Sequence, residues 1–219
     1  MSRLTTMSPD AIRAIFSPEA DSDLLFLLTI YDPDNSSIVV ARLSDGYTQR
    51  ISETSEEVLY GVLSNGENYK NHKRLFDAFG KFSYGKTNIE LLVTISNNYS
   101  KLMSIIQKLK IKGVPVTNLG FLNKDDLQYV YSTVDIVLFP SFFESFGLGL
   151  IEAAQNNLPV LASNCDYVNE IIIPSKVFEP NNTVSLINAL EFSYHNNLNP
   201  AKLIVENKIN ELLKILTTQ

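Results

Sequence analysis

Between residues 70 and 219, wholly apolar, β-rich runs alternate with stretches of helical periodicity, and few folds accept that order. KNHKRLFDAFGKF carries apolar side chains at 75, 76, 79 and 82, a helical spacing. IELLVTI (89–95) is a continuous apolar run, and YSKLMSIIQKLKI is helical again, ending near Gly113 and Pro115. VTNLGF, DIVLFP and PVLAS read as strands, DDLQYVYSTV and about 147–155 as helices. VNEII, a short strand KVFE and two closing helices (183–194 and 200–216) complete the pattern. Strands apolar on both faces, with helices between them, predict a parallel sheet covered on both sides. The expected class is α/β, a Rossmann-like doubly wound unit. In such sheets ligands bind beyond the carboxyl ends of strands, in the loops that lead into helices.

The first third of the chain reads differently. Ser8-Pro9-Asp10 has the form of an N-cap with proline at the first helical position, opening a short helix AIRAIF. LLFLLTIYD, SIVVARL, YTQRIS and EEVLYGVL follow as strands, with PDNSS and Asp45-Gly46 as turns. The expectation is a small α+β module, mainly antiparallel. Asp32-Pro33-Asp34 mimics an Asp-x-Asp metal motif but lacks further ligands nearby, so a hairpin turn is the better reading. Charge changes in step with pattern: residues 1–69 hold 4 Arg, no Lys and 11 acids (4 − 11 = −7), residues 70–219 hold 14 basic residues and 13 acids (14 − 13 = +1). Asparagine rises from 3 to 18 across the same point. The division predicted is a module over 1–65 and a Rossmann-like domain over 66–219. The pattern MSPDAIRAIFSPEADSDLLFLLTIYDP…IVVARLSDGYTQR…EEVLYGVLSNGENY resembles a small phage minor-tail-type domain of unknown function. That resemblance implies at most a structural or assembly role.

Composition removes several functions. A net charge of −6 and no basic stripe argue against general nucleic-acid binding. One cysteine, Cys165, rules out an internal disulfide and fits a reducing, cytoplasmic setting, where it serves as small core filler. No secretory signal is present, and no run approaches the roughly 18 apolar residues a spanning helix needs. Peripheral attachment to a membrane stays open.

The chemistry concentrates in ESFGLGLIE, residues 144–152. It follows the strand DIVLFP and opens a helix near Gly147. A helix start offers backbone N–H groups and a positive dipole end, an anion site. Gly147 lets a phosphate approach the backbone, because no side chain intervenes. Glu144, in the loop, is placed to accept hydrogen bonds from sugar hydroxyls beside that phosphate. Glu152, one and a half turns into the helix, could reach a second diol such as a ribose. Phosphate between two polyols describes a nucleotide sugar.

With these residues in view, SFFESFGLxLIEAA resembles the Glu-x7-Glu motif of the family-4, GT-B-fold retaining glycosyltransferases. YKNHKRLFDAF is similar to the family's lysine-bearing loop and first helix. NLGFLNKDDLQYVYSTVDIVLFPS resembles its glycine-aromatic-apolar turn, helix and strand, and LPVLASNCDYVNEII the segment after the motif. The likeness runs from about residue 66 to 219, one half of a GT-B enzyme. It implies that Glu144 binds the donor sugar's hydroxyls and that Lys70 neutralises the diphosphate, both as catalytic groups. Glu152 would bind the ribose, and backbone amides of Phe146, Gly147 and Leu148 the diphosphate. Gly120, Phe121 and Leu122 would border the base. No metal and no cofactor are implied; the substrate is a UDP- or GDP-linked sugar, with retention by front-face attack. His72 and Lys73 read as exposed helix-start residues and His195 as a surface residue.

Two departures limit what the resemblance implies. The family's arginine, expected shortly before the lysine, has no counterpart: no basic residue lies between Arg50 and Lys70. Residues 1–69 also lack the alternating pattern and the histidine of a GT-B acceptor domain, so proximity catalysis would need an acceptor-half partner chain. The alternative class is a phage-related structural or interaction protein that keeps the Rossmann-like domain as a scaffold.

Overall fold

In the computed structural model the backbone is described for residues 25–32, 35–42, 47–50 and 57–206, with side chains from residue 57 to 206. Three strands, β1 (Leu25–Asp32), β2 (Asn35–Arg42) and β3 (Tyr47–Arg50), form an antiparallel sheet in the order β1-β2-β3. Its first ladder runs to the pair Asp32↔Asn35, so Asp32 closes a hairpin, in line with the turn reading. The helix expected at AIRAIF lies outside the described residues.

A second sheet contains β4 (Val58–Val62), β5 (Ile89–Val93), β6 (Val116–Asn118), β7 (Ile136–Phe139), β8 (Val160–Ser163) and β10 (Lys176–Phe178). Its order is β10-β8-β7-β4-β5-β6, and β4–β5, β5–β6, β7–β8 and β8–β10 pair in parallel. The fold is the expected Rossmann-like α/β sheet. One strand was misassigned by the sequence reading. EEVLYGVL was placed with the antiparallel module, yet Val58–Val62 pairs in parallel with Ile89–Val93. The reason is visible at Gly61: a Cβ there would lie 2.9 Å from Val134 Cγ1. A strand glycine marks such a close approach, and Leu59, Tyr60 and Val62 are buried with it.

The chain divides into two compact units, residues 1–65 with 83–135 and residues 66–82 with 136–219. In the first, α2 (Ser100–Ile111) and α3 (Lys124–Tyr131) accompany β4, β5 and β6. Asn123 caps α3, its side chain accepting from the N–H groups of Asp125 and Asp126 at 2.9 Å. Asp135 and Leu59 exchange two hydrogen bonds, main chain to main chain and Leu59 N–H to the Asp135 carboxylate (2.8 Å).

The second unit holds α1 (His72–Phe82), β7, α4 (Leu148–Gln155), β8, α5 (Asp166–Ile171), β9 (Ile172–Ile173), β10, α6 (Thr183–His195) and β11 (Lys202–Leu203). Leu75, Phe76, Phe79 and Phe82 form the buried stripe of α1, which packs on α6 through Leu186, Ala189 and Leu190. Asn182 caps α6 by accepting from Val184 and Ser185 N–H. The helix expected over 200–216 does not start there: Lys202–Leu203 pairs antiparallel with Ile172–Ile173, and residues 207–216 lie outside the described ones. Pairing with an open strand edge overrides the local helical spacing. Among the described residues no helix is long and apolar enough to cross a membrane.

Candidate functional site

Lys70 ends a short 3₁₀ turn, Asn68–Lys70, and is followed by Asn71 in the left-handed conformation at φ 59°. Its neighbours are fastened on either side. The carbonyl of Tyr69 accepts from Phe142 N–H at 2.8 Å, and the Tyr69 ring stacks on Phe143 with centroids 4.7 Å apart. Buried Asn71 donates its side-chain amide to the Pro180 carbonyl at 2.9 Å. The turn is therefore tied to the loop after β7 and to the loop after β10, at the carboxyl ends of both strands.

This fastening brings Lys70 Nζ to 2.6 Å from Glu144 Oε1, across 74 residues of chain. Only 13% of the Lys70 side chain and 9% of the Glu144 side chain are exposed. The ammonium lies 5.3 Å from the Tyr69 ring centroid and 5.8 Å from that of Phe139. Next to Glu144, the phenol of Tyr167 donates to the Ser141 carbonyl at 2.9 Å. Burial, then the negative charges of the Cys165 thiolate and the Glu144 carboxylate, push that phenol well above its ordinary range, so it stays protonated.

Three residues beyond Glu144 the chain enters α4. Gly147 precedes the helix with φ 58° and is buried, while Phe146 and Leu148 on either side of it are exposed. Unlike α3 and α6, α4 has no side-chain cap hydrogen bond at its start, where the positive end of the helix dipole lies. A Cβ on Gly147 would lie 2.6 Å from Ile171 Cδ1. Gly147→Ala is expected to lose about 1–3 kcal/mol of unfolding free energy, from left-handed strain and displacement of Ile171. Urea denaturation measures it, and a change below about 0.5 kcal/mol would mean the turn relaxes freely. Glu152 is half-buried on the same helix.

The remaining candidates belong to the first unit. Gly120 has φ 74° and Phe121 is exposed. Asn118, which the sequence reading did not single out, shapes this turn: its side-chain carbonyl accepts from Ile95 N–H (2.9 Å) and Gly120 N–H (3.2 Å), and its amide donates to the Ile95 carbonyl (2.9 Å). An asparagine at the end of a short strand is the only sequence signal for it. Tyr69 and Tyr167 carry no local sequence signal for a place beside the site either. The second unit thus gathers Lys70, Glu144, Phe146, Gly147, Leu148 and Glu152 on two neighbouring loops and one helix, whereas Gly120, Phe121 and Leu122 form a separate turn.

Other expectations shift. His72 is buried, not exposed, with its ring 6.0 Å from that of Phe76 one turn on. Lys73 is exposed, and His195 sits at the surface 3.6 Å from Glu191. No cation stands in for the absent arginine between β4 and Lys70; Arg74, one turn into α1, donates to the Asn181 carbonyl at 2.7 Å.

Several known proteins resemble the chain. It is 34% identical over 71 residues, 32% of its length, to O-antigen chain mannosyltransferase B of Escherichia coli, matching 19% of that protein. In fold it is similar to the C-terminal domain of a glycosyl transferase group 1 family protein from Francisella tularensis. That likeness has a TM-score of 0.56 at 20% identity, covering 64% of this chain and 76% of that one. A second likeness is to Anabaena HepE, solved in complex with UDP and glucose, at a TM-score of 0.54 and 20% identity over 65% of this chain and 40% of that one. The chain spans about a fifth of the length of curated relatives it matches. None of these comparisons supports the phage-tail resemblance of residues 1–69. The model for "Glycosyl transferases group 1" matches residues 47–210, from β3 through the parallel sheet and both loops around Lys70 and Glu144. The chain belongs to that glycosyltransferase family.

Proposed function

We propose that the chain is the donor-binding half of a retaining, metal-independent glycosyltransferase that takes a UDP- or GDP-linked hexose. The observation that carries this reading is the Lys70–Glu144 pair at 2.6 Å, both side chains largely shielded, with Glu144 on the loop that leads into the start of α4. A cation, a carboxylate and a helix N-terminus at the carboxyl ends of parallel strands suit a diphosphate joined to a polyol. In this reading Lys70 and the amides of Phe146, Gly147 and Leu148 hold the diphosphate. They stabilise the charge that develops on it as the sugar–phosphate bond breaks, the work a metal does elsewhere. Glu144 orients the hexose through its hydroxyls, and Glu152 accepts from the ribose diol. The acceptor is held by a second Rossmann-like half, supplied by a partner chain or by further sequence, because transfer needs both substrates positioned.

The test is a titration of UDP, GDP, UDP-glucose and GDP-mannose into the purified chain by calorimetry. Saturable binding of one nucleotide series is expected. Glu152→Gln should weaken it about tenfold, the scale of a hydrogen bond to a charged group. An absence of binding at millimolar nucleotide would sink the donor-site reading and favour a scaffold.

A further inference from the structure

We propose that Glu144 also sorts substrate from product, disfavouring the bare nucleoside diphosphate relative to its sugar ester. The inference rests on the donor-site reading and adds a selective role to one of its residues. Among the described residues Glu144 has a single hydrogen-bonding partner, Lys70 Nζ at 2.6 Å. The phenol of Tyr167, whose acidity the Glu144 charge influences, donates its hydrogen bond to the Ser141 carbonyl. The ammonium has little freedom to move away. It is flanked by the Tyr69 and Phe139 rings, on a turn fastened through Phe142 N–H and the Asn71 side chain. Lys70 must therefore be shared between Glu144 and any phosphate that enters.

The two kinds of ligand settle that sharing differently. A nucleotide sugar brings hydroxyl donors, which replace for Glu144 the hydrogen bond it cedes. A bare diphosphate brings no donor at that end, and its terminal phosphate carries more negative charge than the sugar ester does. Glu144 then faces an anion with a diminished partner in a largely shielded place, where like charges repel more than in water. The rise in the Tyr167 phenol's pKa, to which Glu144 adds, is consistent with a carboxylate charge felt by its neighbours. The consequence for turnover is faster loss of the spent nucleotide and weaker competition from free UDP or GDP.

The experiment compares the full chain with Glu144→Gln and Glu144→Asp, titrating UDP, UDP-glucose, GDP and GDP-mannose by calorimetry at pH 8. Glu144→Gln is expected to bind the bare diphosphate about tenfold tighter than wild type, the scale of one like-charge contact a few ångströms away near a surface. The advantage of the sugar ester should shrink in the same variant. Glu144→Asp keeps the negative charge, and should not gain the tighter diphosphate binding of Glu144→Gln. Unchanged or weaker diphosphate binding in Glu144→Gln overturns the inference while leaving the donor site standing. Binding of none of the four nucleotides by wild type overturns the donor-site reading and this inference with it.

Discussion

Replacing Lys70 by alanine is expected to destabilise the chain by about 3 kcal/mol, more than removing Glu144's charge by Glu144→Gln. Removing one partner of a buried ion pair typically costs about 3–5 kcal/mol, and the residual exposure of both side chains puts this pair at the low end. The cost comes mainly from the carboxylate left behind, shielded and without its only hydrogen-bonding partner among the described residues. The double variant Lys70→Ala/Glu144→Gln should therefore recover most of the loss, because no uncompensated charge remains. Urea unfolding of the four proteins closes a double-mutant cycle. Strictly additive effects, with less than about 1 kcal/mol for Lys70→Ala, would show that the two groups are solvated apart in solution. On the donor-site reading the same variant also loses nucleotide binding, with and without the sugar, by a similar factor.

The second large effect concerns pH and a residue with no part in the proposed chemistry. Glu90 lies in β5 with 8% of its surface exposed, and its carboxyl is raised from 4.5 to about 7. Burial is the main cause; Glu57 pushes the same way, while the Thr117 hydroxyl and Lys110 oppose it. The folded chain thus holds this proton more tightly than the unfolded one. Its contribution to stability is fully present below about pH 4.5 and is lost as pH rises through 7. A shift of this size corresponds to about 3 kcal/mol. Wild type should lose that increment between pH 5 and 8, whereas Glu90→Gln should be flatter and more stable than wild type at pH 8. Urea midpoints of both proteins at pH 5, 6, 7 and 8 measure it. A wild-type to Glu90→Gln difference that does not vary with pH would mean that water reaches the carboxylate.

Glu90 illustrates what a local reading misses. Within IELLVTI it is one acid in an apolar run, and the run correctly predicts a buried strand. Nothing local says whether the acid faces solvent or is enclosed, because that depends on β6 and on neighbours such as Thr117 and Lys110. Val58–Val62 failed in the opposite sense. Its pattern, apolar around Gly61, is that of a doubly covered strand, yet in chain order it follows the hairpin strands and reads as one more of them. His72 was misjudged because a polar residue at a helix start is exposed by default, and only the packing beneath α1 encloses it.

The sequence by itself determined the α/β alternation, the helix opening at Gly147, and the loop position of Glu144 ahead of it. Each of these is written in short-range periodicity, in glycine's tolerance of positive φ, and in the order of strand and helix. Only the tertiary structure decided that Lys70 and Glu144 meet, that Tyr69 and Asn71 fasten the lysine between two loops, and that Tyr167 donates to the Ser141 carbonyl. Those pairings join residues 26 to 109 positions apart. They follow from which strands lie side by side, an outcome of burying the whole apolar surface at once, and no window of a dozen residues contains it.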